Sequence, residues 1–176
     1  YREVYVQVRN KTHLADVFVK PQIHPLQVTT EITVQNISDG ITLQQEIRKK
    51  GEGAYSPLGQ KPVKQTNVQT VFPVQEICLW EPENPHLYEI RTSLWKNGEM
   101  IDARVDITGF REAGFRKDGF YLNGKKLRLR GLNRHQSYPY VGYAAPASMQ
   151  IFDADILKKE LGVNAVRTSH YPQSQD

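Results

Sequence analysis

The sequence predicts a mainly β chain, an antiparallel sandwich of immunoglobulin-like dimensions followed by a hairpin and a strand–helix–strand unit. Three observations carry this. Between Leu14 and Ile107 apolar residues recur at every second position in run after run, the period of half-buried strands. Asn97-Gly98 and Asn123-Gly124 each sit between such runs, and this residue pair tolerates the two positive φ angles of a type I′ hairpin turn. From Met149 to Leu161 the apolar spacing changes to steps of three and four, which is the signature of an amphipathic helix.

Taken in order, residues 1–8 alternate and read as a strand, followed by the polar Arg9-Asn-Lys-Thr12. Val17 and Val19 share one face of the next strand, and Val28, Thr30, Ile32 and Val34 one face of the strand after it. Ile41, Leu43 and Ile47 follow, then Val68, Thr70, Phe72 and Val74, then Tyr88, Ile90, Thr92 and Leu94, and last Ile101, Ala103, Val105 and Ile107. Ser38-Asp-Gly40 and Lys50-Gly-Glu-Gly53 mark turns. A span of about 100 residues with this spacing fits an immunoglobulin-like sandwich. It carries no evident chemistry: His13, His24 and His86 stand apart, with no acidic or Cys partner at ligand spacing. Trp80, beside the corner from Pro82 to Pro85, fits packing at the sandwich edge better than a sugar-stacking platform.

After Asn123-Gly124, Leu127, Leu129 and Gly131 alternate with Arg128 and Arg130, and the pattern breaks into Asn133-Arg134-His135. A strand therefore delivers Asn, Arg and His at its C-terminal end. Ser148 is placed to cap the following helix, and Gly162 to end it in a left-handed conformation. Met149, Phe152, Ile156, Leu157 and Leu161 form its apolar face. The run from Val163 to Val166 is a second strand, ending in Arg167, Ser169 and His170. Strand, helix and strand in this order close with the strands parallel, which puts both polar ends on one side. His135 and His170, far apart in sequence, are thereby expected at one rim, the place where α/β-barrel enzymes build their sites.

The chain has 176 residues, enough for one domain and part of another. Its formal charge of +4 and the cluster Lys125, Lys126, Arg128 and Arg130 do not amount to a nucleic-acid surface, because the cations alternate along a strand with no aromatic platform or basic helix. A solvated or interdomain face is expected instead. The single Cys78 excludes an internal disulfide and says little about compartment. Nothing resembles a signal peptide or a membrane span. The chain opens at Tyr1 without an initiator Met and ends at Asp176 soon after the second histidine, so it reads as a segment of a longer parent whose localisation the sequence does not give.

Arg130-Gly-Leu-Asn-Arg-His-Gln136, Tyr138-Pro-Tyr-Val-Gly-Tyr143 and Asn164-Ala-Val-Arg-Thr-Ser-His-Tyr-Pro172 closely resemble glycoside hydrolase family 2, in its β-galactosidase branch. So do Trp80-Glu-Pro-Glu-Asn-Pro-His-Leu-Tyr88 and Gly109-Phe-Arg-Glu112 upstream. The resemblance implies three parts. Residues 1–12 would be the last strand of a sugar-binding jelly roll, 13–109 the immunoglobulin-like sandwich as a spacer domain, and 110–176 the truncated start of the catalytic TIM barrel. A (β/α) barrel needs at least ~200 residues, so only its first strands fit here. Leu127, Leu129, Val163, Val166, Phe152 and Ile156 are then expected to leave an apolar patch and open strand edges unless covered.

A retaining glycosidase needs two carboxyl groups about 5–5.5 Å apart. The resemblance places both catalytic glutamates on later barrel strands, so none is assigned in this chain and the segment alone is expected to be inactive. It implies that His135 and His170 contact sugar hydroxyls, that Arg167 orients the nucleophile, and that Asn133 and Arg134 are site scaffolding. No metal ligand is assigned here; a Mg²⁺ or Na⁺ ion would be held through residues elsewhere in the parent. The implied partners are a terminal β-galactoside and other copies of the parent as a homo-oligomer, with self-association of the segment through exposed barrel elements. Nucleic acid and membrane are not among them. Two other readings stand beside this one, a β-glucuronidase of the same family and a non-catalytic structural or carbohydrate-binding module.

Overall fold

The computed structural model describes Val4 and residues 6–173. The described residues divide into two compact units, one built mainly from residues 7–115 with 121–125 and the other mainly from residues 126–173. The first is the expected sandwich. Its strands are β1 (His13–Ile23), β2 (Leu26–Gln35), β3 (Ile41–Lys49), β4 (Ser56–Pro62), β5 (Asn67–Pro73), β6 (Tyr88–Lys96) and β7 (Glu99–Thr108). They form two sheets, β1-β2-β5 and β4-β3-β6-β7, with all neighbours antiparallel. Asn97 and Gly98 join β6 to β7 with φ of 51° and 81°, the paired positive angles of the type I′ turn.

Strand β4 has no counterpart in the sequence reading. Its segment, Ser-Pro-Leu-Gly-Gln-Lys-Pro, contains the residues that usually break strands. It survives as a strand because it lies at the edge of its sheet, where a missing backbone N–H costs no ladder bond. Gly59 is required there, since a Cβ would come 2.3 Å from the Phe72 ring.

The sandwich core has two apolar halves with a polar layer between them. Leu14, Ile32, Val34, Leu43 and Leu94 belong to one half, and Val28, Ile47, Tyr88, Ile90 and Phe110 to the other. Between them lies Gln45, 1% exposed. Its Nε2 donates to Thr30 Oγ1 at 3.1 Å and Thr92 Oγ1 at 3.0 Å, and its Oε1 accepts from Thr70 Oγ1 at 2.5 Å. One amide thus ties both sheets together. Trp80 takes the packing role expected of it: a Cβ on Gly109 would lie 2.9 Å from the Trp80 Cβ, and Arg111 stacks on the indole at 4.6 Å.

Three short strands follow, β8 (Ala113–Arg116), β9 (Gly119–Leu122) and β10 (Lys125–Lys126), ordered β10-β9-β8. Asn123 and Gly124 turn between the last two with φ of 50° and 76°. Next come β11 (Gly131–Arg134), α1 (Ala147–Asp155), a π-helical turn (Ile156–Glu160) and β12 (Ala165–Thr168). Strands β11 and β12 pair in parallel, which completes the expected strand–helix–strand unit.

Several local expectations need correction. The strand before Asn133 begins only at Gly131 and not at Leu127; pairing starts where glycine allows it, because a Cβ on Gly131 would sit 2.3 Å from the Ala165 carbonyl oxygen. Ser148 does not cap α1. The N-cap is Pro146, with no side-chain hydrogen bond, so the helix starts one residue before Ser148 from an extended proline. Of its apolar stripe Met149, Ile156 and Leu157 are half-buried and Phe152 and Leu161 exposed, while the buried residue of the helix is the polar Gln150. The strand read over residues 1–8 is not formed at Val4 or at residues 6–8; residues 1–3 and 5 lie outside those described. Of the residues anticipated as an apolar patch, Leu129, Phe152 and Val166 are exposed, whereas Leu127, Ile156 and Val163 are half-buried.

Candidate active-site rim

The parallel pairing sets the site. Asn164 fastens the start of β12 to the segment leading into β11, its side chain accepting from the Arg130 N–H at 2.8 Å and donating to the Arg128 carbonyl at 3.0 Å. Register then places Asn133 opposite Arg167 and Arg134 opposite Thr168. The ladder closes with the Ser169 N–H donating to the Arg134 carbonyl at 3.2 Å. Beyond that bond both histidines emerge, His170 across a cis peptide from Ser169. The His135 and His170 rings stand 5.7 Å apart, edge to face at 73°. Both are exposed, as are Asn133 and Arg167. Arg167 Nη1 reaches Asn133 Oδ1 at 3.4 Å. The four residues thus share one rim at the C-terminal ends of two parallel strands.

Arg134 points elsewhere. Its Nε donates to Asp153 Oδ2 at 2.9 Å, and its Nη2 to Gln150 Oε1 at 2.5 Å and to the Tyr138 hydroxyl at 3.0 Å. Tyr138 in turn donates to Asp153 Oδ2 at 2.5 Å. Burial opposes the Arg134 charge, but the hydrogen bonds with Asp153 and Tyr138 outweigh it, and its pKa rises above the ordinary arginine value. Burial first, and then the bond to Asp153, push the Tyr138 phenol up as well. A cation on β11 therefore locks α1 in place beneath the rim. This also explains why the polar Gln150 is the buried residue of the helix: a half-buried guanidinium must be matched by acceptors.

A family model for glycosyl hydrolases family 2 matches residues 12–111, and that family's TIM barrel domain matches residues 114–176. The chain belongs to glycosyl hydrolases family 2. A β-galactosidase of Thermoanaerobacter pseudethanolicus is 41% identical over 99% of this chain. A β-galactosidase of Thermoanaerobacterium thermosulfurigenes is 56% identical over 65% of it. The chain spans 24% and 16% of the length of these two relatives. Among solved structures, an FMN-binding β-glucuronidase from Facaelibacterium prausnitzii L2-6 superposes with a TM-score of 0.79 at 29% identity, covering 95% of this chain and 27% of that one. A β-galacturonidase from Eisenbergiella tayi bound to galacturonate gives 0.72 at 31% identity, covering 93% and 30%.

In this family 2 segment the sequence reading named Asn133, Arg134, His135, Arg167 and His170 but missed Tyr138, Gln150 and Asp153 as the partners of Arg134. A signal was there. Gln150 and Asp153 are three residues apart on one helix face, polar residues beside an apolar stripe. Replacing Asp153 by Leu should lower stability by about 3 kcal/mol, because removing one partner strands a charge that is mostly buried; the Arg134 side chain is only 16% exposed. Asp153→Asn, which still offers an oxygen, should cost less. Urea denaturation of both variants measures this, and equal midpoints for Asp153→Leu and the unsubstituted protein would show that Arg134 finds other acceptors.

Proposed function

We propose that this chain is part of a retaining β-galactosidase that removes terminal β-D-galactose from its substrates. Residues 1–12 would close a sugar-binding jelly roll, residues 13–109 would orient the barrel, and residues 110–176 would open it. The observation that carries the reading is the convergence of His135, His170 and Arg167 on the C-terminal rim of parallel strands. β-Galactosidase relatives reaching 56% identity over part of the chain support the galactoside specificity.

On this reading the two catalytic carboxylates come from other strands of the parent. Arg167 approaches the nucleophile, and its fixed planar cation keeps that carboxylate ionised and oriented through charge-assisted hydrogen bonds. His135 and His170 hold sugar hydroxyls, and such bonds raise rate when they tighten as the ring flattens toward the oxocarbenium-like transition state. Asn133 steadies the Arg167 guanidinium from across the strand pair. A Mg²⁺ or Na⁺ ion in the parent would be held through residues elsewhere in it. The parent would assemble as a homo-oligomer. Among the described residues no helix is long and apolar enough to cross a membrane.

A second reading, a β-glucuronidase, draws on the structural likeness to the β-glucuronidase at a TM-score of 0.79. Assaying the full-length parent on aryl β-galactoside and aryl β-glucuronide separates the two: the first reading expects the galactoside to be turned over far faster. Arg167→Lys in that parent should lower kcat roughly 10- to 150-fold, since a point charge replaces a planar fork and a hydrogen bond to a charged group is worth about 1.5–3 kcal/mol. Unchanged kcat would place Arg167 away from the nucleophile.

A further inference from the structure

We propose that Tyr171 is a positioning residue for the sugar-contacting rim, acting through His135; this deepens the functional reading above and rests on it. The backbone ladder between the two strands ends at the bond from Ser169 N–H to the Arg134 carbonyl, and both histidines lie beyond it. There the two segments would part company without another tie. Tyr171 supplies one. It directly follows His170, and its hydroxyl accepts the N–H of Gln136, the residue directly after His135, at 2.6 Å. Gln136 is 3% exposed, and its side-chain Nε2 donates to Gln150 Oε1 at 3.2 Å, so the residue next to His135 is held on both its backbone and its side chain.

The Tyr171 ring itself lies 6.1 Å from the His135 ring and 5.2 Å from that of Tyr143. A single side chain therefore joins the segment that carries His170 to the backbone that carries His135 and packs against the His135 ring. Site groups must be held within about 0.5 Å of their productive geometry to keep their full effect. Loosening this tie should weaken contacts that are strongest at the transition state more than contacts made equally in the ground state.

The test uses the full-length parent with Tyr171→Phe, which keeps the ring and removes only the hydroxyl, and Tyr171→Leu, which removes both. The readouts are kcat, KM, and the affinities for two probes of the configuration that the parent hydrolyses, a protonated iminosugar and the free monosaccharide. For Tyr171→Phe we expect kcat to fall about tenfold with KM nearly constant, and iminosugar affinity to fall by a similar factor with monosaccharide affinity unchanged. Tyr171→Leu should do more in the same sense; if it fails to fold, Tyr171→Phe decides alone. A lower melting temperature with kcat and both affinities intact means a purely structural tyrosine and overturns the proposal. Equal loss of both affinities also overturns it, since that marks a ground-state contact. An active parent with either of these results overturns this inference alone, whereas a parent that hydrolyses neither glycoside overturns the functional reading together with it.

Discussion

The 176-residue chain on its own is expected to turn over no aryl β-galactoside above a mock-purified control. Retaining hydrolysis needs a nucleophile and an acid/base about 5–5.5 Å apart, and three aspartates of this part of the chain are held by other partners. Asp153 is bound to Arg134 and Tyr138, Asp155 pairs with Lys159 at 2.8 Å, and Asp118 pairs with Lys126 at 3.0 Å. Among the described residues, the groups shown at the rim are two histidines, an asparagine and an arginine, which can bind and orient but cannot form and break a glycosyl bond. Removing catalytic groups that act as a unit costs on the order of 10⁶ in rate. A measurement over hours at high concentration of the chain and, separately, of its Arg167→Ala variant checks this. Turnover that scales with the chain and disappears in the variant would mean that a competent carboxylate pair lies within it.

Gln45→Ala is expected to destabilise the sandwich by about 3–5 kcal/mol, a large share of the 5–15 kcal/mol that holds a typical domain together. The truncation opens a cavity and takes hydrogen-bond partners from Thr30, Thr70 and Thr92 at once, all three buried. Each buried polar group left unsatisfied costs about 1–3 kcal/mol. The control is to remove the whole layer: Gln45→Met with Thr30→Val, Thr70→Val and Thr92→Val should recover most of the loss, because replacing every partner by an apolar group of similar shape can be nearly neutral. Thermal or urea denaturation reads both. If the single and quadruple variants lose the same amount, volume and not hydrogen bonding is what Gln45 contributes.

Gln45 also marks where reading the sequence ran out. The alternation that identified β3 used Ile41, Leu43 and Ile47 and passed over the residue between them, because a glutamine on a core face is legible only when its partners are known. Those partners sit on β2, β5 and β6, and nothing local says that three threonines converge on it. The same holds for Arg134. Its place at the end of a strand was legible, yet its side chain turns toward Gln150 and Asp153 on α1, and that choice buries a glutamine beside the apolar stripe.

By itself the sequence determined what depends on neighbours along the chain. Period-two alternation produced six of the sandwich strands, and the two Asn-Gly pairs produced type I′ turns, since their φ preferences act within a residue or two. The strand–helix–strand order was enough to put His135 and His170 at one rim, because parallel closure follows from connectivity. Tertiary structure alone decided the rest. Edge position rescued β4 despite its prolines, close backbone approach at Gly131 fixed where pairing begins, and buried polar groups at Gln45 and Arg134 selected their partners. The physical reason is common to all four: the free energy of a strand edge, a close contact or a desolvated polar group depends on what stands opposite it, and that is set by packing between distant segments rather than by the residues beside it.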